Sequence, residues 1–421
     1  MRMSRKKRHK YRFHPLFWAT WTLLLIAIGG VLVWIQQEGL QLNLNQSPSI
    51  AQHKGTEHVQ VQKQSETSSI VKQPSQAPQG PSDNEVVGNA VGKRDRNKQQ
   101  SVSPHKPINL VFAGDAMMDW SVKETIRKKG TDYPYVHVKS EIEKADYAFV
   151  NLETAITTHH VKDTNQLYNF KSDPIALKGL KNAGFDLVSI ANNHTLDFMD
   201  KGFLDTLRHL EKADLPYVGG GRTEEEAYKA HTVELNGKKV KFLAFSRFIP
   251  QTYWFANGNE PGIAEAYNKS SVLPVIKRER KDCDYLLVYM HWGVEKENRP
   301  APWQRTYAKE IIDAGADAIV GSHVHVLQGF EFYKGKPIAY SIGNFLFPNY
   351  VKGRNADTGL LHLTLDNGQV SMAFDPYYIK NDQIVKRDSK YVESQYNYLE
   401  SISYKAVMNA NQVEPAIKAS R

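Results

Sequence analysis

Six short apolar runs, each breaking off into polar or ligand-bearing residues, constrain this chain more than any other feature. INLVFA (108–113) leads into Gly114-Asp115, YAFV (147–150) into Asn151-Leu152-Glu153, and FDLVSI (185–190) into Ala191-Asn192-Asn193-His194. YLLVYM (285–290) leads into His291-Trp292-Gly293, ADAIV (316–320) into Gly321-Ser322-His323-Val324-His325, and PIAYSI (337–342) into Gly343-Asn344-Phe345. Runs without polar alternation predict strands covered on both faces. Helix-period segments lie between them, over 135–144, 173–183, 200–213, 271–282 and 302–315. Strands alternating with helices predict a layered α/β fold, in which sites gather at the carboxyl ends of the strands.

Two later segments read differently. Residues 231–246 and 360–374 each carry Asn-Gly between apolar stretches, at Asn236-Gly237 and Asn367-Gly368. Asn-Gly supplies the left-handed backbone of a two-residue hairpin turn. Two packed sheets with helices outside are therefore expected.

The strand ends carry a consistent chemistry. Residues two apart on a strand face the same way, so His323 and His325 are expected to aim at one point. Asp115 and Glu153 offer anionic oxygens, Asn193 a neutral one, and His291, His323 and His325 offer nitrogens. This mixed set suits one or two divalent transition ions, Mn, Fe or Zn. A shared carboxylate can bridge two ions about 3.5–4 Å apart, the arrangement used in phosphoryl hydrolysis. His194, beside a ligand, is a candidate to protonate a leaving oxygen. The plainer readings are Asp115 as an N-cap, Glu153 as a loop residue, Asn192 as a turn residue and His291 as a core histidine. The single cysteine, Cys283, excludes an internal disulfide and a cysteine-based zinc site.

The net charge of +9 sits in the N-terminal quarter. Residues 1–106 hold 15 Lys/Arg against 6 Asp/Glu, and the remaining residues balance. Nucleic acid is therefore not an expected partner. A basic head (1–15) precedes twenty uncharged residues, 16–35. As a helix these span roughly 30 Å, one hydrocarbon core. A single-pass, cell-membrane protein with its N-terminus in the cytoplasm and its C-terminal domain outside is expected, the bilayer being its first partner. Residues 36–106, rich in Gln, Ser, Lys, Asn and Pro, predict a flexible linker. The folded domain is expected over 107–377 and a partly helical tail over 378–421.

Residues 108–348 resemble the CapA family of capsule-synthesis proteins, whose bacterial members include the poly-γ-glutamate synthesis component. The stretches that carry the resemblance are GDAMM (114–118), NLET (151–154), ANNHTLDF (191–198), HWG (291–293), GSHVHVLQ (321–328) and SIGNF (341–345). That family is similar to the calcineurin-like metallophosphatases. The resemblance implies a four-layer αββα sandwich, with Asp115, Glu153, Asn193, His291, His323 and His325 at metal-ligand positions and His194 at the catalytic histidine. Two departures stand out. The phosphatases carry Asp-x-His at the first motif, where this chain has Asp115-Ala116-Met117, and Glu153 stands where they carry Asp. The implied role is a membrane-anchored component of poly-γ-glutamate or capsule synthesis or export, with synthetase subunits as partners. The alternatives are an extracellular metal-dependent phosphoesterase and a non-catalytic polymer-binding scaffold.

Overall fold

A computed structural model describes residues 106–416. The head, the uncharged stretch 16–35 and the linker up to residue 105 lie outside the described residues. The expected single-pass membrane location is not borne out among the described residues. Among the described residues, no helix is long and apolar enough to cross a membrane.

The fold is mixed α/β and rich in sheet. The strands that matter here are β1 Ile108–Ala116, β2 Tyr147–Leu152, β3 Leu187–Ser189, β4 Tyr217–Val218, β5 His231–Leu235 and β6 Lys238–Ser246. They continue with β7 Tyr285–Trp292, β8 Ala318–His323, β9 Phe330–Tyr333, β10 Lys336–Ala339, β11 Asn344–Leu346, β12 Asp357–Asp366 and β13 Gln369–Lys380. β14 Gln383–Val385, β15 Ala406–Asn409 and β16 Gln412–Pro415 follow. The longer helices are α1 Trp120–Lys129, α2 Ala176–Asn182, α3 Met199–Lys212, α4 Lys269–Arg280, α5 Pro302–Ala314 and α6 Ser389–Ile402.

One sheet has ten strands, in the order β15-β16-β13-β12-β1-β2-β3-β4, with β11 paired to β1 and β14 to β13. The other has six, in the order β9-β10-β8-β7-β6-β5. The first is parallel over one half and antiparallel over the other, and the second is parallel through its centre. β1, β2, β3 and β4 run together in the first, and β6, β7, β8 and β10 in the second.

The unbroken apolar runs follow from what covers each face. Phe112, Phe149 and Leu187 of the first sheet meet Phe242, Leu287 and Tyr289 of the second in one core. The alternate residues Val111, Val150 and Val188 face α1, α2 and α3. Leu243, Leu286 and Ile319 of the second sheet face α4 and α5. Phe112 joins the sheets, with ring centroids 5.2 Å from Phe149 and 6.3 Å from Phe242. Truncating such an aromatic to alanine costs about 3–5 kcal/mol.

Both Asn-Gly pairs form the expected hairpins. Asn236 and Gly237 sit at φ +48° and +74° between β5 and β6, and Asn367 and Gly368 at +49° and +78° between β12 and β13. The helix expected over 135–144 is smaller, a 3₁₀ turn at Tyr133–Tyr135 and a single turn at Lys139–Ile142. The helix before it, α1, starts where Asp119 caps Trp120 and buries Val122 and Ile126 at helical spacing. Asp119, not Asp115, is the capping residue. At the other end, the boundary expected at residue 377 falls inside β13. α6 and the β15–β16 hairpin then pack on both sheets: β16 pairs with β13, and the Tyr404 N–H donates to the Phe330 carbonyl of β9 at 2.7 Å.

Candidate metal centre

The carboxyl ends of the two sheets meet at one place, and every residue of the expected set is there. Asp115 closes β1 at an irregularity. The pairing of β1 with β2 slips between Ala113 and Asp115, so Gly114 bulges. Only glycine fits, because a Cβ there would lie 1.9 Å from the Gly343 carbonyl oxygen. A bulge re-aims the following side chain, here the Asp115 carboxylate.

Around that carboxylate the contacts are specific. The Asn151 amide donates to Asp115 Oδ1 at 2.7 Å, and the His323 backbone N–H donates to Oδ2 at 3.0 Å. Asn193 Oδ1 lies 2.6 Å from His291 Nε2, and His323 Nδ1 lies 3.1 Å from the same nitrogen. Ser322 Oγ sits 3.1 Å from His291 Nδ1, holding the other side of the ring. His325 Nδ1 lies 2.8 Å from Asn344 Oδ1 and 3.8 Å from Asp115 Oδ2.

Two overlapping ligand groups result. Glu153, His291 and His323 each bring a ligand atom within 4.8 Å of the others, and so do Asp115, Glu153 and His325. Glu153 belongs to both. Its two oxygens are buried and have no hydrogen-bond partner among the described residues, and neither has His323 Nε2. An orphaned buried carboxylate is costly unless something pairs with it. The electrostatics agree. Burial, reinforced by Asp115, pushes the Glu153 carboxyl well above the usual range. Burial also raises Asp115, against the pull of His325. It holds His291 and His323 well below the ordinary imidazole value, with the neighbouring imidazoles adding to the effect. Neutral imidazoles around a carboxylate lacking a counter-charge fit a divalent cation as the missing charge.

The reason the two histidines converge differs from the expected one. β8 ends at His323, and His323 and His325 sit at φ +98° and +58°. Left-handed backbone, not strand pleat, brings their rings to 6.0 Å between centroids. Such backbone is uncommon for a non-glycine residue and clusters at functional sites.

His194 stands at the edge of the centre and lines a cleft of about 600 Å³. Its Nδ1 lies 2.8 Å from Asp197 Oδ2, which leaves Nε2 for the cleft. Asp197 is itself fixed by the Phe170 N–H at 2.6 Å. Burial raises Asp197, while His194 pulls it back. Asn192, read from sequence as a turn residue, donates to Asn151 Oδ1 at 3.1 Å and to the Leu152 carbonyl at 2.9 Å. Asn151, Ser322, Asn344 and Asp197 were not singled out from sequence. Each lies next to or within three residues of a chosen ligand or of His194, except Asn344, which ends the sixth apolar run. Met117, where the metallophosphatase pattern has histidine, is buried in an apolar cluster with Phe170, Phe347 and Val351.

The family model described as "Bacterial capsule synthesis protein PGA_cap" matches residues 109–349. The chain is 34% identical over 299 residues to the capsule biosynthesis protein CapA of Bacillus anthracis, covering 67% of this chain and 71% of that one. It is 34% identical over 242 residues to the PGA biosynthesis protein CapA of Bacillus subtilis (strain 168), covering 57% and 63%. Among solved structures it is similar to the NAD nucleotidase NadN of Haemophilus influenzae, at 12% identity and a TM-score of 0.38, covering 71% of this chain and 57% of that one.

Proposed function

This chain belongs to the PGA_cap family of bacterial capsule synthesis proteins, and from that premise we propose that it serves poly-γ-glutamate or capsule polymer synthesis through a metal-dependent phosphoester hydrolysis. The observation that carries the reading is Glu153: two buried oxygens without a hydrogen-bond partner among the described residues, at the shared corner of two ligand groups. The stacking of two sheets with helices outside supports the metallophosphatase-like assignment.

His291, His323, Glu153 and Asn193 would hold one divalent ion, and Asp115, Glu153 and His325 the other. When bound, such ions activate water and offset charge on the phosphoryl oxygens. The chain's own residues supply the rest. Asn151 and the His323 N–H hold the Asp115 carboxylate in one orientation. Ser322 fixes the His291 ring. His194, held by Asp197, gives a proton from Nε2 to the leaving oxygen as the P–O ester bond breaks and the P–O bond to water forms. Synthetase subunits are the partners this role implies.

The test is the metal content of the purified full chain and of a His323→Ala, His325→Ala double variant. Near-stoichiometric Mn, Fe or Zn that disappears from a folded variant is the expected result. A native chain that takes up none of these ions on reloading sinks the catalytic reading and leaves the polymer-binding scaffold.

A further inference from the structure

The cleft over the metal centre is walled by a continuous ring of aromatic side chains that starts on His194 and ends on His325. From His194 to Phe170 the ring centroids are 4.4 Å apart, and from Phe170 to Trp120 5.3 Å. From Trp120 to Tyr350 they are 5.4 Å apart, from Tyr350 to Phe347 6.3 Å, and from Phe347 to His325 5.1 Å. All six line the one cleft.

Ordinary core packing does not explain the outer half of this collar. Trp120 is 45% exposed and Tyr350 52%. Trp120 also sits at φ +50°, a genuine outlier for a bulky residue. One carboxylate holds it there. Asp119 Oδ1 accepts the Trp120 N–H at 2.8 Å, and Oδ2 accepts the Lys171 N–H at 2.9 Å, which ties Trp120 to the segment that carries Phe170. Strained backbone held by its surroundings clusters at functional sites. Lys296 and Lys352 line the same cleft, and neither has an ion-pair partner among the described residues; Glu295 lines it too.

Exposed aromatic faces, two ammonium groups without ion-pair partners among the described residues and a candidate ligand set at the floor call for a ligand with an anionic end and a ring that can lie against an aromatic face. We propose that the substrate of this centre is a ring-bearing phosphoester, a nucleoside or sugar phosphate, whose ring stacks in the collar while its phosphate faces Glu153. This rests on the phosphoester reading above. A linear polyanion, a γ-glutamyl chain included, would use the lysines and leave the aromatic faces in water. Stacking on aromatic side chains is where ring ligands gain affinity over linear ones.

The experiment titrates the manganese-loaded and the metal-free full chain with a nucleoside 5′-monophosphate, a hexose 1-phosphate, glycerol 1-phosphate and a γ-glutamyl oligomer, read by tryptophan fluorescence and calorimetry. At least one ring probe is expected to bind about tenfold tighter than glycerol phosphate. Trp120→Ala should bring the two within about twofold, Trp120→Phe should keep most of the preference, and neither should change metal content. The tighter ring probe names the ring. Glycerol phosphate or the γ-glutamyl oligomer matching the ring probes overturns the proposal. So does a preference that survives Trp120→Ala, or the binding of no probe. A ring preference equally strong without metal supports the collar and counts against the hydrolytic centre, so the two readings fail separately.

Discussion

The backbone N–H of His323 donates to Asp115 Oδ2 at 3.0 Å, across 208 residues of chain. The bond ties the carboxyl end of one sheet to that of the other. It also satisfies the second oxygen of a buried carboxylate whose first oxygen accepts from Asn151. Asp115→Asn keeps the shape of the side chain but removes its charge. The ion shared by Asp115, Glu153 and His325 should be lost and the other retained, so metal content should fall to about half. Elemental analysis of the folded variant checks this, and loss of all metal would argue for one ion held jointly.

Glu153→Gln removes the charge common to both ligand groups. All metal should be lost, unlike in Asp115→Asn. The native chain should gain about 2.7 kcal/mol of stability for each ion bound when manganese is raised to a hundred times that site's dissociation constant, and the variant should gain nothing. Thermal unfolding with and without manganese measures both.

His194→Gln and Asp197→Asn should leave metal content unchanged and slow hydrolysis by about 10²–10⁴-fold. The loss should depend on the leaving group. An ester of a strongly acidic phenol needs no proton as it departs, so its hydrolysis should fall far less than that of an alkyl ester. Equal losses on both substrates would remove His194 from the role of acid.

Glu331 gives the fold a pH-dependent fastening. Burial would raise its carboxyl. Arg305, through bonds of 2.8 and 3.0 Å, together with the Tyr340 hydroxyl at 2.8 Å, holds it below the usual range instead. A depressed folded value means stability that is present above the ordinary carboxylate range and lost as pH falls through the folded value. Glu331→Gln should cost roughly 1–2 kcal/mol at neutral pH, because it leaves the part-exposed Arg305 without its counter-charge. Denaturant unfolding at falling pH should show the gap between native and variant close. A gap constant with pH would mean the ion pair is not its source.

The arrangement of strands was legible because its cause is local. Runs such as YLLVYM are unbroken since both faces of β7 are covered, and this one breaks off two residues before its strand ends. The candidate ligands were legible for the same reason, as they sit at those breaks. The geometry of His323 and His325 was not. Two positive φ angles at the end of β8 are imposed by the surrounding packing, and no residue type there announces them. The collar was illegible from sequence for a further reason. Trp120, Phe170 and Tyr350 come from three distant segments and meet only after the sheets have closed. Helix α1 was missed although its signal was present, Asp119 followed by Val122 and Ile126.

The separation between Asp115 and His323 also bears on how the protein comes into being. Contacts between distant residues form slowly and late, because loop closure precedes any gain from the contact. A ribosome delivers Asp115 early, and Asp115 must wait for β8 before it meets its partner. Even then the centre lacks Asn344 against His325, and α6 and the last hairpin have yet to brace β9 and β13. Metal uptake is therefore a sensitive test of completeness. A chain stopped short of its final strands should carry every ligand residue and still hold its ions weakly.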